Sequence, residues 1–157
     1  MTSGQGYTPV HNCTYGRPAH NADMGRSDEQ AIKTAVEQFL GAVGSYDLDA
    51  VEEMVVANAN VGWASLRDGK WTMSTMTIED WLTEARAEAS PTVYTEQVMD
   101  WTVHVDGGHL AFVRADAIFF VGEKAERHNI DYFTLIKTNG VWKFLTLSYV
   151  GTPIESE

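Results

Sequence analysis

Cysteine is nearly missing from this chain of 157 residues: Cys13 stands alone, so no internal disulfide can form and the fold rests on its apolar core. Basic residues are scarce as well, 11 Lys and Arg against 22 Asp and Glu, for a formal net charge of −11. A surface this acidic repels phosphate backbones and anionic lipid, which argues against nucleic acid and membrane surfaces as partners. No apolar run approaches the roughly 20 residues of a membrane span, and the first residues lack the charged and apolar regions of a signal peptide. The cytoplasm is therefore the expected compartment. Dinucleotide, phosphate-loop and zinc signatures are missing too, and Gly107-Gly108 and Gly140 read as turn glycines. His11, Cys13 and His20 are scattered without the spacing of a zinc site, so neither a metal nor a cofactor is expected.

What is present is apolar and aromatic: 44% hydrophobic residues, with five Trp, six Tyr and six Phe. That is enough for one domain with a proper core. Residues 1–26 have no sustained period and read as an arm or tail, residues 27–150 as the domain, and residues 151–157 as a C-terminal tail. Ser27 opens a capping box with Gln30, followed by Ala31, Ile32, Ala35, Val36, Phe39, Leu40 and Val43 at helical spacing. Asp47 caps a short second helix with Leu48, Val51, Met54 and Val55 inward, and Ala57 to Asn60 turns the chain. Val61–Leu66 and Lys70–Ser74 form a small hairpin across Asp68-Gly69. Thr77 with Asp80 caps a third helix through Trp81, Leu82 and Ala85 that stops before Pro91.

From Val93 the period changes to that of strands. Asn139-Gly140 between two apolar runs is a strong hairpin signal, because both residues tolerate positive φ. With Thr138 facing Val141, one face carries Asp131, Phe133, Leu135 and Lys137 opposite Ser148, Thr146, Phe144 and Trp142; the other carries Ile130, Tyr132, Leu145 and Leu147. Taking Gly107-Gly108 as a turn puts Val105 opposite Leu110, Trp101 opposite Arg114 and Met99 opposite Asp116. With Gly122 to Arg127 as a loop and Val121 opposite His128, Ile118 faces Asp131 and Asp116 faces Phe133. One sheet face then gathers Met99, Trp101, Phe112, Arg114, Asp116, Ile118, Asp131, Phe133, Phe144, Thr146 and Ser148. A loop of different parity would reverse this. Helices followed by a long antiparallel sheet is an α+β arrangement, here a curved sheet wrapped over three helices around a cone-shaped pocket.

The element order, together with S-Y-D-L-D-A-V between the first two helices and D-Y-F-T-L-I-K-T-N-G-V-W-K-F at the end, resembles the nuclear-transport-factor-2-like superfamily. Within it, the ending is most similar to the lumazine-binding-type branch, over Ser27 to about Val150. The superfamily includes ketosteroid isomerases, scytalone dehydratases, limonene-epoxide hydrolases and polyketide-cyclase-like proteins, so the resemblance implies the fold far more than the activity. The isomerase tyrosine falls on Phe39 and the isomerase base on Trp63, which disfavours that chemistry, while the protonated strand aspartate of that family falls on Asp131. The Tyr-Asp pair of scytalone dehydratases is matched by Tyr46-Asp47, without their histidines. The Arg-x-Asp of limonene-epoxide hydrolases is matched by Arg114 and Asp116. Their second aspartate falls where this chain has Leu147 or Ser148, leaving Asp131 to substitute.

The resulting expectation is an acid/base enzyme without cofactor acting on a small apolar or aromatic molecule, with Asp116 and Asp131 transferring protons and Arg114 orienting them. Phe39, Tyr46, Trp63 and Trp81 would complete the ligand contacts. The bland readings are a buried salt bridge for the charged trio, a helix cap for Asp47 and core packing for the tryptophans. His104 reads as a surface or interface residue, and His128 as a residue at the pocket mouth. The alternative function is a non-catalytic binding module that forms a homodimer through the outer sheet face.

Overall fold

The turn at Asn139-Gly140 is built as the dipeptide demands, with φ of 52° and 79°, and it closes a hairpin in which Thr138 faces Val141. This hairpin occupies the middle of the sheet. The structure, a computed structural model, describes residues 22–154; the readings made for residues 1–21, His11, Cys13 and His20 included, lie outside the described residues. In chain order the elements are α1 (Ala22–Ser45), α2 (Leu48–Met54), β1 (Val55–Arg67), β2 (Lys70–Thr77), α3 (Ile78–Ala87), β3 (Thr95–Asp106), β4 (Leu110–Val121), β5 (Lys124–Thr138) and β6 (Val141–Pro153). The six strands form one curved, unclosed sheet in the order β2-β1-β6-β5-β4-β3. Every neighbouring pair is antiparallel except β1 with β6. No helix of the described residues is long and apolar enough to cross a membrane.

The helices follow from their patterns. Ile32, Val36, Phe39 and Leu40 make the buried stripe of α1. Asp47 caps α2 by accepting from the Ala50 N–H at 3.2 Å, and Thr77 caps α3 by accepting from the Asp80 N–H at 3.1 Å. Ser27, by contrast, lies inside α1, which begins upstream of it. The stripe of α1 packs on the inner sheet face, where the Phe39 ring meets Phe144 at 4.6 Å and Phe133 at 6.1 Å between centroids. Ala111, Val113, Ala115 and Ala117 of β4 and Leu135 of β5 complete that buried layer.

Three local differences from the expected pairing reverse which strand residues face the helices. Between β3 and β4 the loop is Gly107–Gly108–His109, closed by His109 N–H donating to the Asp106 carbonyl at 3.1 Å, so Asp106 rather than Val105 faces Leu110. Between β4 and β5 the turn is Gly122-Glu123, with Val121 opposite Lys124, so the strand begins where a polar loop was expected, and a bulge at Glu126 moves the pairing from Phe120 opposite Ala125 to Phe119 opposite Arg127, which reverses its parity. In β6 a bulge at Leu145 moves the pairing from Leu135 opposite Phe144 to Thr134 opposite Thr146, so Leu147 and Tyr149 point inward instead of Thr146 and Ser148. Two smaller corrections concern the ends. β1 starts directly after α2, with a register shift between Val55 and Asn60 in place of a turn, and β6 runs on to Pro153, through part of the expected tail.

Gly44, near the end of α1, accepts from the Tyr94 N–H at 3.0 Å, and the Tyr94 carbonyl fills the space a Cβ on Gly44 would need. This close approach fastens the segment leading into β3 to the helix. Replacing an exposed helical glycine by alanine ordinarily stabilises a helix by about 0.5–1 kcal/mol. Gly41→Ala, where a Cβ meets nothing within 4 Å, should show that gain in urea unfolding. Gly44→Ala should lose stability, on the order of 1–3 kcal/mol.

Candidate active site

The inner face of β5 presents Arg127, Asn129, Asp131 and Phe133 in succession, because alternate residues of a strand share a face about 6.6 Å apart. They form one wall of a chamber of about 190 Å³ between the sheet and the helices. Phe39, Leu40 and Val43 of α1 and Ile78 and Trp81 of α3 close it from the helical side, and Trp63 and Tyr149 line it from β1 and β6. Small side chains on β4, Ala115 opposite Asp131 and Ala117 opposite Asn129, leave the room.

Two carboxyls line the chamber, Asp131 buried on β5 and Glu96 half-buried on β3. Asp131 is 4% exposed, and burial, reinforced by the negative charge of Glu96, pushes its pKa up to about 8 against the opposing pull of Arg127. Glu96, from β3, is also raised by burial, and it is held back by a hydrogen bond from the Asn129 side chain and by Arg127. Asn129 Nδ2 donates to Glu96 Oε1, so one strand carries both Asp131 and the residue that orients Glu96. Gly151, opposite Asn129 on β6, makes room for that side chain: a Cβ there would stand 2.9 Å from Asn129 Oδ1. The Arg127 guanidinium lies over the Phe119 ring at 4.0 Å, and the Tyr94 ring packs on the same phenylalanine at 4.3 Å. Burial raises the Tyr94 and Tyr149 phenols. Trp63 and Tyr149 are nearly parallel, 6.4 Å apart with a 9° interplanar angle.

Of the residues expected from the sequence, Asp131, Phe39, Trp63, Trp81 and Phe133 line the chamber. Ser148 borders it, although its hydroxyl donates to the Tyr132 carbonyl at 3.4 Å. Trp101 and Phe144 are on the inner side but in the packed core. Tyr46, in a positive φ of 60° beside the cap of α2, is half-buried and does not line the chamber. Arg114, Asp116, Phe112, Ile118 and Thr146 stand on the outer face, a correction that follows from the loop parity and the bulge. Met99 sits at a shift in the β3 register and is 63% exposed. Asp116 is opposite Ile130, not Phe133. There it accepts from His128 at 2.5 Å and from Arg114 at 3.3 Å, and the His128 hydrogen bond first, then Arg114, holds its carboxyl below the usual range. His128 therefore belongs to this outer cluster and not to the pocket mouth.

Tyr94, Glu96, Arg127, Asn129 and Tyr149 were missed. The alternation R-x-N-x-D-x-F was legible, but a loop assigned through Arg127 cut it off before it could be read as a face. Among the described residues, no group of three or more His, Cys, Asp or Glu side chains is arranged to hold a metal ion.

The family described as putative lumazine-binding matches residues 27–150, and the chain belongs to it. A search of curated proteins found no match. Among solved structures, the chain is similar to a Mycobacterium tuberculosis protein of unknown function (15% identity, 83% of this chain and 75% of that one, TM-score 0.67). It is also similar to a nuclear-transport-factor-2-like protein of unknown function from Silicibacter pomeroyi (16%, 80% and 96%, TM-score 0.55). A third is a putative scytalone dehydratase from Novosphingobium aromaticivorans (12%, 87% and 93%, TM-score 0.63). At these identities the structural likeness establishes the nuclear-transport-factor-2-like fold and leaves the chemistry to the site.

The burial of Asp131 makes stability depend on pH with a definite sign. Its folded pKa of about 8 lies above the ordinary carboxylate value, so the folded state binds the extra proton and stability falls as pH rises from about 4 to about 8. Urea unfolding across this range should show Asp131→Asn gaining on the parent protein as pH rises, by on the order of a few kcal/mol at pH 8. A constant difference between the two would contradict the assignment.

Proposed function

For this member of the family, we propose that the chamber binds a small, largely apolar or aromatic molecule and that Glu96 and Asp131 move a proton on it without a cofactor. The observation that carries this reading is that two carboxyls, from β3 and β5, line one chamber with unequal neighbours. Burial raises both, but Glu96 accepts a hydrogen bond from Asn129 that favours its ionised form, whereas Asp131 Oδ2 is buried with no hydrogen-bond partner. Two such groups divide the labour of an isomerisation. The Glu96 carboxylate takes a proton from a carbon next to a carbonyl, Asp131 donates a hydrogen bond to the carbonyl oxygen as charge gathers there, and Glu96 returns the proton to a second carbon. The apolar lining, with Phe39, Leu40, Val43, Ile78 and Phe133, keeps bulk water from competing.

Arg114 and Asp116 enter this reading only as charges behind the sheet, where Asp116 adds to the rise of the Asp131 pKa. The outer face itself supports self-association. It exposes Met99, Phe112, Tyr132 and Val150, an apolar surface of the kind that a second copy of the chain buries. We infer a homodimer through this face.

Two measurements test the two parts. Deuterium exchange next to the carbonyl of small cyclic ketones, followed by NMR, should be catalysed by the protein and fall by roughly 10²–10⁴-fold in Asp131→Asn and in Glu96→Gln. Undiminished exchange in both variants would leave only a binding role. Sedimentation should find a dimer at micromolar concentration and a monomer for Phe112→Glu; a monomeric parent protein would refute the association.

A further inference from the structure

Arg127 is the cation among the side chains that line an otherwise apolar and acidic chamber, where its charge acts on Glu96, Asp131 and Tyr149. Among the described residues no carboxylate lies within ion-pair distance of it; the ion pairs run instead through Lys33, Arg86, Arg114, Lys124, His128 and Lys137. Its Nε is buried and has no hydrogen-bond partner. A buried, unpaired guanidinium nitrogen is costly, and its usual partner is a planar oxyanion held through the fork of N–H groups. Phe119 fixes the plane of that fork from one side at 4.0 Å, and the side chain lines the chamber.

The two nearby acids do not fill the role. Glu96 is engaged by Asn129, and Asp131 retains its proton near neutral pH because of its burial. Trp63 and Tyr149, parallel within 9°, add flat aromatic surface on the β1–β6 side. The chamber of about 190 Å³ is somewhat larger than the roughly 150 Å³ cavity known to hold benzene. A single ring with a short substituent suits that volume.

We propose that the chamber is a receptor for planar, single-ring molecules carrying one carboxylate, with the carboxylate on the Arg127 guanidinium and the ring among the apolar and aromatic side chains. This deepens the reading of the chamber as a ligand site and rests on that part of it alone. The chain's net charge of −11 gives anions no general attraction, so a preference for an anionic ligand has to originate at Arg127.

Benzoate and benzyl alcohol, which share a ring and differ in charge, are the probes, with calorimetry at pH 7 as the readout. Benzoate should bind about tenfold or more tightly than benzyl alcohol, the margin expected when a charged hydrogen-bonded pair is added to the same ring. Arg127→Gln should erase the preference, and Arg127→Lys, which keeps the charge and loses the fork, should retain part of it. Unchanged thermal unfolding of the Lys variant guards against a folding artefact. Equal affinity for the two probes, no detectable binding of either, or a preference that survives in Arg127→Gln would overturn the assignment. Calorimetry and deuterium exchange are read separately on the parent protein: a benzoate preference without exchange would overturn only the proton-transfer reading, and exchange without the preference only this assignment.

Discussion

Side chains of a strand alternate between two faces, so a sheet covered by helices on one side sorts its residues by parity, and each loop passes its parity to the next strand. In this protein three short features carry that information: the Gly107–Gly108–His109 loop, the bulge at Glu126 that follows the Gly122-Glu123 turn, and the bulge at Leu145. Together they put Asp131, Asn129 and Arg127 in the chamber and Arg114, Asp116 and His128 outside it. The chemistry available to the fold depends on this sorting before it depends on any single hydrogen bond.

The two sides of the sheet treat carboxylates in opposite ways. Asp116, outside, has His128 and Arg114 within reach and its proton affinity falls; Asp131, inside, has burial and the Glu96 charge, and its proton affinity rises. The same residue type on neighbouring strands thus favours its anion in one place and its protonated form in the other. The difference arises from water and neighbours, not from the side chain.

Much of the fold was legible in the sequence because its signals are local. The Asn139-Gly140 turn, the caps at Asp47 and Thr77, and the stripe of α1 each rest on a few adjacent residues. The α+β order and the three helices followed from them. Asp131 was legible as well, since an acid among Phe and Leu stands out under any register. Its companions were not. Glu96 and Asp131 are separated by β4, and which acid shares the chamber depended on a loop one residue longer than the simplest choice and on irregularities at Met99 and Glu126. The Leu145 bulge has no strong local mark, since Phe144, Leu145 and Leu147 suit either face. Pairing β1 in parallel with β6 joins distant parts of the chain, and no short-range pattern announces it.

The bulge at Leu145 has a consequence for how such a protein tolerates change. Replacing Leu145 by another residue leaves the count of positions intact, and every side chain downstream keeps its face. Pairing Leu145 into the ladder, with the bulge ironed out, would turn Leu147 and Tyr149 outward and Thr146 and Ser148 inward, exchanging an apolar wall for hydroxyls, whereas deleting Leu145 would leave a regular strand with every one of these residues on its present face. For this site, then, whether one position of β6 stands in or out of the ladder is a stronger determinant than its spelling: substitutions at Leu145 preserve the chamber wall, whereas drawing that position into the pairing rewrites it.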